Sequence, residues 1–346
     1  MDGDARLGLT FGLYYDFRNP APWRQPWRVR YEAILEQIAW AERDLGFGSV
    51  WISEHHFLPD GYAASTLTVA AAIAARTQGM AIGTNVLVLP LHEPIRLAED
   101  CLSLHAISGG RFRLGVGLGY REPEFRALGQ RLSQRRARAE EAIDILRMAF
   151  TGRPFSHHGR FHDIDDVTVS PDPGPAGGPE IWVGALSQAG VERAARRGDG
   201  FLCALPDHIE PYVAARRALG RDDGRVAVTR PSVIAADPER EVAAIGEHLL
   251  YYVNQYIELG TFGPPDRIPR LTDPGEVIGQ GHVQALDGDA AVDALVDLAQ
   301  RGPVVDLHWW TLFPGEPIAS ASARLEYLAT YVVPRVRERL RQSPPS

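Results

Sequence analysis

At 346 residues, with 45% apolar and 23% charged side chains and 34 glycines and 26 prolines spread along it, the chain has the composition of a globular protein of one or two domains and excludes collagen, mucin and wholesale disorder. Asp and Glu (44) outnumber the basic residues (36) for a net charge of -8, and every basic residue is an arginine. Chemistry that needs a lysine ε-amine is therefore excluded, whether a Schiff base, a pyridoxal phosphate anchor or a P-loop lysine, and the acidic balance disfavours nucleic acid as a partner.

Met1–Leu9 carries acidic residues and no long apolar run, so neither a signal peptide nor a membrane span is expected. Leu7–Leu13 reads as the first strand. Tyr14, Tyr15, Phe17, Trp23 and Trp27 follow it, more aromatics than a core position requires, and they are assigned to the wall of an apolar substrate pocket. Arg28–Leu45 places Tyr31, Ile34, Leu35, Ile38 and Leu45 on one helical stripe and stops at Gly46. Ser49–Ser53 is strand two, Ser65–Arg76 an alanine-rich helix capped by Ser65, and Ala81–Leu89 strand three. Pro94 opens a helix that ends at Ser108-Gly109-Gly110, and Phe112–Val116 is strand four. Ser133–Phe150 is helical. Residues 152–178 form an excursion punctuated by Pro, Gly and His, with a small hairpin within Phe155–Val169. Strands five to eight are Glu180–Val183, Gly200–Ala204, Val226–Ala235 and Val304–Trp309, with helices from Ser187 and over Asp207–Leu219, Pro238–Leu259, Asp289–Arg301 and Ile318–Arg341. Residues 260–287 hold four prolines and five glycines without a helical or strand period, which predicts a functional loop or lid. Pro344-Pro345 marks a frayed tail. Eight strands alternating with helices predict a (β/α)8 TIM barrel with insertions at its C-terminal face, one domain over 1–346.

Glu54-His55-His56-Phe57 directly follows strand two, at the end of a barrel strand where such folds carry reacting groups. Imidazole suits proton transfer near neutral pH and a neighbouring carboxylate fixes its tautomer, although a His pair that only ties strand to loop has the same letters. Gly115-Val116-Gly117-Leu118-Gly119 is not a dinucleotide fingerprint, because Tyr120 holds the place of the third glycine and no acidic strand end follows about twenty residues on. Its glycines still admit a flat cofactor close to the backbone, or a tight strand exit without one. Ile181–Gly190 runs from a strand into a helix start where Ser187 and free N–H groups suit a phosphate; a plain helix cap is the alternative. His157, His158 and His162 lack a metal-ligand spacing and read as a surface loop, so no metal is expected. Trp309 and Trp310 end strand eight, facing core or pocket. Cys101 and Cys203 lie far apart and outside any Cys-x-x-Cys spacing, which fits a reducing cytoplasm.

Trp51-Ile52-Ser53-Glu54-His55-His56-Phe57, Ile82–Pro90, Pro94–Asp100, Ser108-Gly109-Gly110-Arg111-Phe112, Gly115–Gly119, Glu124-Phe125 and Gly184–Gly190 together resemble the bacterial luciferase-like flavin-dependent monooxygenases. The resemblance implies a (β/α)8 barrel that takes reduced FMN as a dissociable cosubstrate at its carboxyl end, with O2 and a small organic substrate. It further implies a separate flavin reductase and a cytoplasmic homodimer without membrane or nucleic-acid partner. His55 matches the histidine of flavin–oxygen chemistry, with Glu54 or His56 orienting it. Asn85-Val86 matches the site of a non-prolyl cis peptide under the flavin ring. Gly117, Gly119, Tyr120, Leu186, Ser187 and Gly190 are the further cofactor candidates, and Tyr15, Phe17, Phe57 and Trp309 the substrate-pocket candidates. Departures occur at Gly117, Leu118 and Leu186, which replace a reactive cysteine, a phosphate-contacting arginine and a glutamate, and they argue against light emission. The deazaflavin F420 branch is the alternative, although its sugar-phosphate dehydrogenases carry glutamate where this chain has Tyr120. A metal-dependent barrel hydrolase and a non-catalytic flavin-binding partner are the remaining readings.

Overall fold

Nearly continuous apolar strand sequences bounded by helices leave each strand with two faces to bury, and a closed parallel barrel inside a ring of helices buries both. The computed structural model describes residues 8–342 and contains this arrangement. Chain order runs β1 (Thr10–Tyr15), α1 (Trp27–Leu45), β2 (Ser49–Ile52), α2 (Thr66–Ala74), β3 (Ala81–Thr84), α3 (Pro94–Ile107), β4 (Phe112–Gly117), α4 (Arg135–Ala149), β5 (Glu180–Ala185) and α5 (Gln188–Arg197). It continues through β6 (Gly200–Cys203), α6 (Ile209–Ala218), β7 (Val226–Arg230), α7 (Pro238–Glu258), α8 (Gly288–Gln300), β8 (Val304–Trp310), α9 (Ile318–Tyr327) and α10 (Val333–Gln342). Spatial order around the barrel is β3-β2-β1-β8-β7-β6-β5-β4, and pairing of Ile82 with Phe112 and Gly83 with Arg113 joins β4 to β3 and closes it. All of these pairings are parallel. The expectations for Leu7 and Pro344-Pro345 lie outside the described residues.

Two predicted strands are broken where the chain must leave the barrel. The third stops at Thr84 and resumes as Leu87–Val88 beside β4; the seventh stops at Arg230, and after Pro231 the chain forms Ser232–Ile234. That short strand pairs in parallel with Gln284–Leu286, so 260–287 is not without structure. Within it a helix over Pro274–Gly279 starts with a reciprocal cap between Asp273 and Glu276, a signal that periodicity misses in so short an element. The 152–178 excursion carries an antiparallel hairpin of Phe155–His158 and Asp163–Val167. No helix among the described residues is long and apolar enough to cross a membrane.

The core has two layers. Tyr14, Trp51, Trp182, Leu202, Ala227 and Trp310 pack inside the barrel and under α7, while Leu13, Tyr15, Val50, Ile52, Val183, Phe201 and Trp309 face the helices. Trp51 and Trp182 meet edge to face at 5.8 Å in the interior, and a Cβ on Gly83 or Gly200 would stand 2.3 Å from one of these indoles.

Candidate active site

β2 ends at Ile52 and the chain continues through Ser53-Glu54-His55-His56, which delivers three ionisable side chains to the carboxyl end of the barrel. His55 is buried, and its Nδ1 lies 3.0 Å from Glu124 Oε1. Glu124 is supplied by a short helix after β4, Glu122–Ala127, and is fully buried. The same Oε1 accepts the His56 backbone N–H at 2.9 Å and an Arg121 guanidinium N–H at 2.7 Å. Burial pushes the Glu124 carboxyl up, but His55 and these donors outweigh it and hold the group below its usual range. Burial, joined by the positive charges of Arg18 and Arg121, lowers the His55 imidazole below its ordinary value against the raising effect of Glu124. A neutral imidazole against a carboxylate carries its proton on Nδ1 and donates it to Glu124, which leaves the Nε2 lone pair as an acceptor. Nε2 lies 3.5 Å from the Tyr120 hydroxyl, itself 2.7 Å from Thr261 Oγ1.

Glu54 does not touch His55, which corrects the expectation that it or His56 orients the ring. Glu54 Oε1 lies 2.6 Å from His56 Nε2 and 2.9 Å from His92 Nε2, and its Oε2 accepts the Val88 N–H at 2.8 Å. Burial would raise this carboxyl, yet the His92 and His56 imidazoles hold it at about 2. Glu54 in turn raises His56 above the ordinary imidazole value against the opposing effect of burial. The group that orients His55 is Glu124. Sequence reasoning passed over it as a catalytic group, and the available signal was an acid at the end of a barrel strand just past a glycine-rich exit.

The Asn85–Val86 peptide is cis, as the resemblance implied, and its polar groups are tied to four strand ends. Asn85 N–H donates to Ile52 O at 2.7 Å, Asn85 O accepts from the Tyr14 hydroxyl at 2.9 Å, and Val86 O accepts the Glu54 N–H at 3.3 Å. Asn85 Nδ2 reaches Thr229 Oγ1 at 2.7 Å and His308 Nε2 at 3.0 Å, and His308 Nδ1 rests 2.8 Å from Asp306 Oδ1. The Val86 side chain lies where Gly117 and Gly184 have no Cβ; one added at either would stand 2.5 or 2.6 Å from it. Gly119, at φ +69, makes room for Val88 and Phe125. The space a side chain would take at these glycines is filled by the chain's own packing. Ser187 caps α5, its hydroxyl accepting the Gly190 N–H at 3.3 Å, and a Cβ on Gly190 would stand 2.6 Å from Ala185 Cβ. Leu186 is exposed beside it.

Three pocket candidates face away from the barrel interior. The Tyr15 hydroxyl donates to Gln37 on α1, Phe17 packs on Tyr31 of α1 at 5.2 Å, and Trp309 meets Phe47 at 6.0 Å. Strand alternation turns their neighbours Tyr14 and Trp310 inward instead, where the two rings meet at 4.1 Å. Phe57 is exposed beside His56. His157 and His162 converge on Glu141 Oε1, and His158 pairs with Asp163. Residues missed by the sequence reading complete the mouth: Tyr62 stands edge-on to His55 at 4.7 Å, and its hydroxyl bonds those of Ser53 at 2.6 Å and Tyr256 at 2.7 Å.

The family model for luciferase-like monooxygenases matches residues 9–282. The chain belongs to this family. The 4-hydroxyprotoasukamycin monooxygenase of Streptomyces nodosus subsp. asukaensis is 27% identical over 315 residues, 84% of this chain and 82% of its own. The uncharacterized protein y4vJ of Sinorhizobium fredii is 34% identical over 180 residues, 52% of this chain and 50% of its own, so the match spans half the length of that relative. In structure, the luciferase-like barrel resembles the FMN-bound oxygenating constituent of 3,6-diketocamphane monooxygenase from the CAM plasmid of Pseudomonas putida, a type II Baeyer–Villiger monooxygenase. That likeness has a TM-score of 0.77 at 19% identity over 94% of this chain and 98% of the other, and concerns the fold.

Proposed function

We propose that the protein is a flavin-dependent monooxygenase that uses reduced FMN from a separate reductase, and O2, to oxygenate a small organic substrate. The observation that carries this reading is the buried His55–Glu124 pair at the barrel mouth. FMN suits the residues present: Val86 is half-buried over Gly117 and Gly184 and offers an apolar side chain there, while exposed Leu186–Ala189 begin a helix whose first N–H groups lack intrahelical acceptors. When bound, reduced FMN supplies the electrons that reduce one oxygen atom to water as the other enters the substrate. His55 accepts and returns a proton at Nε2. Glu124 steadies the imidazolium formed in between, and buried Tyr62, edge-on to His55, shields that side of the ring from bulk water. Titration with reduced FMN and with reduced F420 tests the cofactor: FMN should bind and drive oxygen uptake, and tight binding of F420 without oxygen uptake would favour the hydride-transfer alternative.

The chain has no nicotinamide fingerprint, so the purified protein with FMN is expected to oxidise NADH or NADPH negligibly until a flavin reductase is added. Steady nucleotide consumption by the protein alone would contradict the two-component reading. Sedimentation of the purified chain tests the homodimer that belongs to the same reading.

We assign residues 260–287 as a lid on this site. Thr261 bonds Tyr120, whose hydroxyl lies on His55 Nε2, and Gly260 at φ +78 joins the segment to α7. Hydrogen exchange in 260–268 should slow when reduced flavin binds, whereas equal protection with and without flavin would show a fixed loop.

A further inference from the structure

Arg18 follows β1 in the same mouth, and its side chain has no exposed surface. Its Nε lies 3.3 Å from Asp16 Oδ2 and 3.6 Å from Asp60 Oδ2, but none of its three guanidinium nitrogens makes a hydrogen bond. Both carboxylates are met at Nε, so the four N–H donors on the two terminal nitrogens have no acceptor. Asp60 is already engaged elsewhere, taking the Tyr62 N–H at Oδ1 and the Tyr251 hydroxyl at Oδ2, and Asp16 Oδ1 takes the Arg18 N–H. Tyr62 and Tyr256 lie against the guanidinium, their ring centroids 4.2 and 5.3 Å from its carbon. Tyr62 is also the ring that stands edge-on to His55, so one aromatic side chain separates Arg18 from the proton-transfer group.

A buried guanidinium gripped by aromatic faces, with its terminal edge unmatched, is the geometry that receives a planar two-oxygen acceptor. We propose that Arg18 is the receptor for a carboxylate on the substrate and so sets both substrate class and orientation; this rests on reading the barrel mouth as the oxygenation site. The carboxylate supplies acceptors for the terminal nitrogens, while Asp16 and Asp60 hold the Nε side of the fork. Arg30, whose Nε donates to Arg18 O, also stands near Asp16 and offsets part of the acidic charge. Tyr62 and Tyr256 cover the fork in this state, so entry requires Tyr256, close to the end of α7 just before Gly260, to move aside.

Calorimetric titration of the flavin-free protein with benzoate, 1-naphthoate and octanoate, each paired with its neutral amide, tests this without relying on oxygenation. At least one carboxylate should bind tenfold or more tightly than its amide, and Arg18→Gln should reduce that ratio below twofold while leaving the amide affinity unchanged. Equal binding of every pair to the wild-type protein, binding of none of the carboxylates, or persistence of the ratio in Arg18→Gln would overturn the proposal. If Arg18→Gln does not fold, Arg18→Lys takes its place, with the ratio expected to fall at least threefold because an ammonium cannot present the fork; an unchanged ratio overturns it equally. Carboxylate preference in a protein that does not oxidise reduced FMN would refute the oxygenase reading and leave the receptor standing.

Discussion

His55→Ala is expected to fold as the parent does and to form oxygenated product about 10²-fold more slowly or worse, the usual scale for a lost acid–base group. The ring lies at the end of β2 with its Nδ1 committed to Glu124, so removal deletes one proton carrier and leaves the strand framework in place. Glu124→Gln should produce a related loss, because its amide can present an N–H to Nδ1 and favour the tautomer whose lone pair is on the wrong nitrogen. The pH profile carries an independent sign. Burial holds the folded pKa of His55 below the ordinary 6.5, so the neutral ring persists as pH falls through that value, and activity should decline only at lower pH. Single-turnover product formation with reduced FMN supplied, followed across pH, measures both effects. Wild-type product formation by His55→Ala would remove the residue from the mechanism, and an acid limb above pH 6.5 would contradict the burial argument.

Gly115→Ala should cost about 3 kcal/mol or more of stability, or prevent folding. The new Cβ would fall 1.7 Å from the Thr84 carbonyl oxygen and 2.6 Å from Leu202 Cδ1, and the first of these belongs to backbone in the seam that closes the barrel. Thr84 Oγ1 already spans that seam, accepting the Gly115 N–H at 2.9 Å and donating to Gly115 O at 2.7 Å, so the strands have little freedom to part. Asn85 is the next residue, and a displaced Thr84 would carry the cis platform with it. Gly279→Ala is the control: it ends the short helix Pro274–Gly279 with nothing within 4 Å of its added Cβ, and is expected to be neutral or slightly stabilising. Urea unfolding of the three proteins gives the comparison, and an unchanged Gly115→Ala midpoint would show that the seam relaxes.

Alternation of apolar runs with helical stripes was enough to read eight strands and their order along the chain, because each βα unit is a local pattern of a few tens of residues. The position of His55 was legible for the same reason: a strand end is visible in sequence, and a barrel puts every such end on one face. Which side of a strand a residue takes was not legible. Tyr14 and Tyr15, or Trp309 and Trp310, are alike in letters, and a strand buried on both faces has no polar alternation to separate inside from outside; the pairing register and the helices that cover it decide, sending Tyr15 and Trp309 outward and Tyr14 and Trp310 inward. The partners of His55 were hidden more deeply. Glu124 is 69 residues away, Tyr62 meets Tyr256 across 194, and Arg18 joins them from the end of β1. No local spacing encodes such contacts, which exist only because barrel closure brings the exits of β1, β2 and β4 and the end of α7 to one mouth, where burial then sets the protonation of each group.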